Sequence, residues 1–588
     1  MRSLTNYIKL ESIDYLKDLL KNITHFYKAN DLIFNVCGII DFFENQKEYS
    51  YFLDLLISPK LRVSDVVRRE YGDFQTPIQL TEQVCSFLIS NKVNPNSIIE
   101  PTFGKGSFIL SSLKYFKNIR YIFGIEIYDE YFWYTKLKIL DFFIDHPEIN
   151  KPSIHLFKAN IFNFNCDSIK KYINDKILVI GNPPWVTNTE LSTLNSCNLP
   201  QKSNFKNHSG IDAITGKGNF DIGEYITLLM LKHFSSHKGD ISLLLKNSVI
   251  KNLLYDLFKN NYKISNLKSF NIDAKKYFNA AVNASLFTAS FKQQYPTYIC
   301  QNFNFKSPKS EISKFGWFNS KFISNINDYE KNSKYDSVSP LEWRQGVKHD
   351  SSKVFELTKL NNKYYNGFNE EIDVENDLIY GLIKSSDLKR LIIQENRKYV
   401  IITQKYIGQD TSYISHKYPK LFNYLKSKEK ILNNRKSSIY KNKPSFSIFG
   451  IGDYSFKPFK IAISGLYKKS SFSLLLPVHN KTLMVDDTCY SLSFDCLSDA
   501  LFTLAILIDI RTQDLLKSII FTEAKRPYTK DILMRIAIDE IAHDLGYDQI
   551  FDRIKGFNSQ FSNEINFSNW ESYVLSFSKF KSTQLSLV

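Results

Sequence analysis

Gly181-Asn182-Pro183-Pro184-Trp185 sets an amide, two prolines and a large aromatic side by side. The preceding run Lys176-Ile177-Leu178-Val179-Ile180 reads as a buried strand closed by a turn. Proline fixes φ, lacks an N–H and keeps the residue before it out of the helical region. Asn182 and the Pro183 carbonyl are therefore held in one orientation, as two neighbouring acceptors. A planar amine with two hydrogens fits such a ledge, with Trp185 as a stacking face. Strand, Asn and Pro-Pro also describe an ordinary loop, so the rest of the chain has to decide.

A second stretch, Glu100-Pro-Thr-Phe-Gly-Lys-Gly-Ser-Phe108, reads as a strand-to-helix loop with two glycines. Gly104 and Gly106 let the backbone come close to a ligand. The loop lacks the third Gly of the dinucleotide fingerprint, and Lys105 is followed by Gly106, which excludes a Walker loop. Glu100 puts an anion at the loop's start, which suits a ligand with a cationic or amino end. Glu126 ends the next apolar run, where a carboxylate can accept both hydroxyls of a ribose; alone it is equally a solvated strand end. Ribose plus an amino end describes S-adenosyl-L-methionine.

These loops need elements to hold them. Thr76-Pro77 suits the start of a helix from about 78 to 91, with Thr76 as cap and Pro77 in the first turn. Strands are expected at 97–101, 121–127, 154–157 (its end near Asn160), 176–180, 241–245, 264–270 and 284–291. Helices alternate with the first five of them. That rhythm predicts an α/β fold, a parallel, doubly wound Rossmann-like sheet, with ligands at the carboxyl ends of its strands. Every loop named above lies at that edge. Residues 1–70 read as a helical extension, 71–300 as the α/β domain and 301–335, polar and rich in Asn, Ser and Lys, as a linker or docking segment. In 336–588 the βα rhythm is lost; short strands and basic clusters give way to helical periodicity, a mixed α+β domain.

With those residues in view, the chain resembles the amino (adenine-N6) DNA methyltransferases whose cofactor motifs precede the catalytic motif, and in particular type II modification enzymes. The resemblance covers about 70–290. It implies a methyltransferase domain in which Phe74, Thr76 and Pro77 cradle the methionine end of S-adenosyl-L-methionine, Glu100, Gly104 and Gly106 form the main cofactor loop, and Glu126 takes the ribose. Asn160 stands at the adenine contact, where the family usually has Asp. Asn182, Pro183, Pro184 and Trp185 become the catalytic tetrapeptide, Asn182 also facing the cofactor; Trp185 stands where Tyr or Phe is commoner. Phe278 falls where the family stacks an aromatic on a flipped base; otherwise it is a core Phe at a strand edge. The insert 195–219, with Lys202 and Lys206, resembles a DNA-clamping loop, or is a plain surface loop. Arg344, Gln345, Lys348 and His349 lie in a segment resembling target-recognition regions, with structural roles equally open to each. Duplex DNA is then the partner, bound by one copy of the chain, with a separately encoded restriction endonuclease beside it. No metal is implied.

Composition agrees with this and trims the alternatives. A net charge of +16 and a pI near 9.1 favour a polyanionic partner, though charge alone fits a merely soluble basic protein equally well. The seven cysteines include no Cys-x-x-Cys pair, which argues against a zinc site or a disulfide framework and for a reducing cytoplasm. Pro-Cys occurs nowhere, which argues against cytosine carbon-5 chemistry. The best spanning candidate, 501–510, has Asp499 just before it and Asp509 near its end and is too short to span a bilayer. Three other readings stay open: methylation of RNA or of a protein glutamine, a DNA-binding subunit with an inactive domain, and a fused nuclease in the first 70 residues or the tail.

Overall fold

The structure, a computed structural model, describes residues 4–57, 74–173, 175–187, 221–558 and 569–585. The chain divides into two compact units, Met1–Phe322 and Ile323–Val588.

In the first unit, helices α1 (Leu10–Leu20), α2 (Phe26–Cys37) and α3 (Gln46–Ile57) are followed by α4 (Ile78–Ser90), β1 (Ser97–Glu100), α5 (Ser107–Tyr115), β2 (Tyr121–Glu126), α6 (Asp129–Asp145), β3 (Ser153–Lys158) and β4 (Ile177–Gly181). Then come α7 (Ile222–Phe234), β5 (Gly239–Lys246), α8 (Asn247–Lys259), β6 (Ser265–Ile272), β7 (Ala284–Ser290), β8 (Ile299–Asn304), β9 (Ser307–Phe318) and β10 (Lys321–Ile323). The ten strands make one sheet in the order β10-β9-β8-β6-β7-β5-β4-β1-β2-β3. β1 to β5 are mutually parallel, and β7 is wedged antiparallel between β5 and β6. β1 and β4 are buried along their whole length. Helices cover both faces of such strands, which is why they read as unbroken apolar runs. The chain winds one way from β1 to β3 and the other from β4 to β5. The crevice between the carboxyl ends of β1 and β4 is therefore the topological switch point.

Two expectations about boundaries change. Residues 301–335 are not a linker: β8, β9 and β10 extend the sheet, and a helix follows at Ile326–Asn332. They lie at one end of the sheet, with β10 at its edge, and much of β9 is open to solvent, so it carries the Ser and Lys of a surface. Nor do the amino-terminal helices stand apart. The Lys136 ammonium on α6 donates to the Phe42 carbonyl at 2.7 Å, Ile39 pairs with Ile154 of β3, and their apolar residues share one core with α4, α5 and α6.

The second unit holds two sheets of short strands. One runs, in spatial order, Arg344–Gln345, Cys489–Phe494, Phe459–Ser464, Phe472–Leu475, Ile392–Ile393; the other Glu371–Ile372, Lys363–Tyr365, Glu356–Leu360, Lys398–Ile401, Ile379–Ile383, Met484–Val485. Most of the apolar run noted above, 501–507, lies in a helix, Leu497–Leu507, buried in this unit. Among the described residues no helix is long and apolar enough to cross a membrane.

Candidate active site

The cleft at the switch point occupies about 930 Å³ counted out to its open mouth. Its wall takes Glu100 and Thr102 from the loop after β1, Glu126 and Tyr128 from the end of β2, and Asn160 from the end of β3. Asn182 and Pro184 come from the end of β4, and Phe74 and Thr76 from the segment before α4. Residues far apart in the chain meet here because parallel strands bring all their carboxyl ends to one edge.

Gly104 lines the cleft at φ +52°, where a side chain would meet the Gln75 amide. Gly106, at φ +68°, is not part of the lining. A Cβ there would run into Thr135, so Gly106 serves the packing of α5 on α6 instead. Pro77 likewise stays out of the lining and sits at the amino end of α4. Thr76 does not cap that helix; its hydroxyl accepts from the Asn182 amide at 3.2 Å.

Glu126 is fixed by backbone N–H groups, from Gly104 at 2.9 Å and from Ile127 and Tyr128 at 2.8 Å each. The carboxylate thereby ties the glycine loop to β2. Gln75 adds a second tie, accepting from the Lys105 N–H at 2.9 Å. Asn160 closes a local turn by accepting from the Phe162 N–H at 3.0 Å. Glu100 is fully buried, and its carboxyl is held well above the usual carboxylate range by that burial and then by the charge of Glu126.

Asn182 donates through Nδ2 to the Phe74 carbonyl at 2.9 Å and to Thr76. That fixes the amide and aims its oxygen. Among the described residues, three buried oxygens of the cleft lack a hydrogen-bond partner: Glu100 Oε2, Thr102 Oγ1 and Asn182 Oδ1. A buried acceptor left unpaired costs about 1–3 kcal/mol, so three on one wall mark a place kept for a polar ligand.

Pro183 is buried behind Asn182. Trp185 is only 7% exposed, and its indole N–H donates to the Leu244 carbonyl at 3.2 Å. Phe278 (8% exposed) lies in a short helix, Ala274–Phe278, and meets Trp185 edge-on with centroids 5.0 Å apart; Phe74 contacts both. A base held between two parallel rings needs them about 7 Å apart. Trp185 and Phe278 are thus brought together as expected, but in contact rather than as an open sandwich. The insert after β4 leaves and returns at one point, since Thr187 pairs with Asp221. Lys202 and Lys206 within it lie outside the described residues.

The second unit places its expected DNA contacts unevenly. Arg344 pairs with Glu342 and lies over the Tyr454 ring; Gln345 donates to the Asp487 carbonyl at 2.7 Å; Lys348 lies 3.7 Å from Asp350. His349 is not at the surface. It is 7% exposed, stacks on Phe355, accepts from the Ser351 N–H at 3.2 Å and has its pKa lowered by burial. It supports the loop from inside. Gln75, Thr102 and Tyr128 also belong to the cleft; in the sequence only their places next to Phe74, in the glycine loop and just after Glu126 mark them.

The family model described as "N-6 DNA Methylase" matches residues 62–256. The type II methyltransferase M.NspV of Nostoc sp. (strain ATCC 29411 / PCC 7524) is 38% identical over 474 residues, which is 80% of this chain and 97% of that protein. The chain belongs to this family of DNA methyltransferases. The fold of the methyltransferase is also that of the type IIL restriction-modification enzyme MmeI, solved in complex with DNA: TM-score 0.51 at 12% identity, covering 98% of this chain and 90% of that one. S-adenosyl-L-methionine is the cofactor that the family implies, and the cleft fits it. The unpartnered Glu100 oxygen suits a cationic amino end, Glu126 a pair of hydroxyls, and the apolar walls an adenine ring.

Proposed function

We propose that the enzyme transfers a methyl group from S-adenosyl-L-methionine to the N6 amine of an adenine flipped out of duplex DNA. We further propose that it does so at a specific site, as one copy of the chain, and as the modification partner of a separately encoded restriction endonuclease. One observation carries the reading: Asn182 Oδ1 is buried, unpartnered and held in place by the two bonds of its own Nδ2. It is an acceptor waiting for a donor beside the cofactor cleft.

When bound, S-adenosyl-L-methionine supplies an electrophilic methyl group. Glu126 accepts the ribose hydroxyls, Glu100 the amino end, and Asn160 the adenine edge, with Phe74 and Thr76 against the methionine end. The target amine lies inside the duplex until its base is flipped out. Asn182 Oδ1 and the Pro183 carbonyl then accept its two N–H bonds and draw the nitrogen lone pair out of conjugation with the ring. Pro183 and Pro184 keep these acceptors rigid. Trp185 and Phe278 part to admit the base and stack on it. Holding amine and methyl in line supplies most of the acceleration.

Expression in a host without adenine methylation, followed by nucleoside mass spectrometry, tests the proposal. N6-methyladenine should appear with the wild type and be absent with Asn182→Ala. No N6-methyladenine from the wild type overturns the reaction; equal methylation by the variant overturns the role of Asn182.

A further inference from the structure

After the strand Lys398–Ile401 in the second unit, the chain stays buried through Gln404 and is then exposed over Lys405-Tyr406-Ile407-Gly408. Tyr406 is 59% and Ile407 52% exposed, and among the described residues nothing lies within 4 Å of where a side chain on Gly408 would point. A floppy loop would not need a framework, yet this one has a buried polar neck. Thr403 donates to the Phe446 carbonyl at 2.8 Å. Gln404 donates to the Gln409 carbonyl across the base of the tip and accepts from the Ile448 N–H at 2.9 Å. Thr411 donates to the Ser445 carbonyl. Within the tip, the Gln409 N–H closes a turn on the Tyr406 carbonyl at 3.2 Å. A rigid stalk thus presents an aromatic and a branched aliphatic side chain to solvent, an arrangement that gains nothing for the free protein.

The charge around the tip names the occupant. Lys405 is part of it, and the segment that grips its neck carries Lys441 and Lys443, both exposed, against one exposed carboxylate, Asp410. An apolar point set among cations matches a base step flanked by phosphates. We propose that Tyr406 and Ile407 form a wedge that enters duplex DNA and unstacks a base step, lowering the cost of extruding the target adenine. The proposal rests on the base-flipping reading above.

The test uses the full chain and a duplex carrying the methylated site found by modification mapping, with 2-aminopurine in place of the target adenine for the fluorescence arm. In the Tyr406→Ser/Ile407→Ser variant the melting temperature should stay within a few degrees of the wild type, because more than half of each side chain already faces solvent. The 2-aminopurine signal should fall to that of free duplex. Methylation of intact duplex should drop at least about tenfold, because the unstacking cost is then no longer offset by the wedge. A duplex with an abasic position opposite the adenine should restore most of that activity. Wild-type flipping and turnover by the variant overturn the wedge. An equal loss on intact and abasic duplexes overturns it as well, reducing the tip to a binding contact. So does a change in oligomeric state, which would make the tip a surface between copies. If the wild type itself methylates no adenine, the underlying reaction has failed and not the wedge.

Discussion

At the carboxyl ends of β1 and β4, Glu100, Thr102 and Asn182 each carry a buried oxygen without a partner. At the neck of the 405–408 tip, Thr403, Gln404 and Thr411 are just as buried, and each has its hydrogen bonds. The difference separates two ways of preparing for a ligand. The cleft keeps its polar groups unsatisfied, so the ligand that completes them is chosen by chemistry. The neck spends its polar groups on rigidity, so what it offers a ligand is shape, and charge comes from lysines around it. Free energy follows the same division: removing an orphaned acceptor costs the fold little, whereas removing a paired one leaves its partner stranded.

The largest effect should come from Asn182. Its replacement by Ala should lower kcat by about 10²–10³-fold or more, the range for removing one preorganised group that acts on developing charge. Cofactor affinity, measured by calorimetry, should change by only a few-fold, and stability by about 1 kcal/mol or less, since an orphan and two donor bonds leave together. A variant that loses cofactor binding and activity in parallel would show that Asn182 serves the cofactor rather than the amine.

Glu100 offers the next test, through pH. Its carboxyl is raised by burial and by Glu126, so the free protein holds a proton there above the ordinary value of 4.5. A cationic amino end would displace that proton. S-adenosyl-L-methionine binding should therefore release protons, and affinity should rise with pH from 4.5 upward until Glu100 is ionised in the free protein too. The sign for folding is opposite: the folded state binds the extra proton, so stability of the free protein falls as pH rises through the same window. Glu100→Gln should bind cofactor about tenfold more weakly and flatten both profiles. Calorimetry in buffers of different ionisation enthalpy reads the proton directly.

What could be read in advance follows the same divide between buried and exposed. β1 and β4 are apolar throughout because helices cover both faces, so they stand out as strands and the ends of their loops as a site. β9, with its Ser-Pro-Lys-Ser-Glu start, faces solvent along much of its length and carries no such signal. Within the site the residue types were legible but the division of labour was not. Gly104 and Gly106 look equivalent as letters, yet one opens onto the cleft and the other onto Thr135. Thr76 and Pro77 spell a helix start, and only the fold shows that Asn182 claims the hydroxyl. In the second unit the strands are two to six residues long, and the two- and three-residue ones are too short for a period to declare itself.

The neck of the tip should respond to mutation as the cleft does not. Gln404→Ala strands the Ile448 N–H, which is buried, and should cost about 1–3 kcal/mol in chemical denaturation. It should also blunt the 2-aminopurine signal by loosening the stalk. Stability unchanged from the wild type would place the rigidity of the tip elsewhere.

The smallest effects distinguish charge that faces DNA from charge that does not. Lys441 and Lys443 are exposed, and each Lys→Gln change should weaken duplex binding evenly across sequences and reduce the slope of log affinity against log salt by about 1 if the ammonium meets a phosphate. His349 should leave that slope alone. Burial lowers its pKa, so the folded state resists its protonation. Its contribution to stability is present above the ordinary value near 6.5 and is lost as pH falls from there toward the depressed value. His349→Asn should keep DNA affinity within about twofold at neutral pH while removing this acid-side loss. A salt slope that shifts with His349 would put its ring at the DNA after all, and would mean that the loop from Gly346 to Ser351 opens on binding.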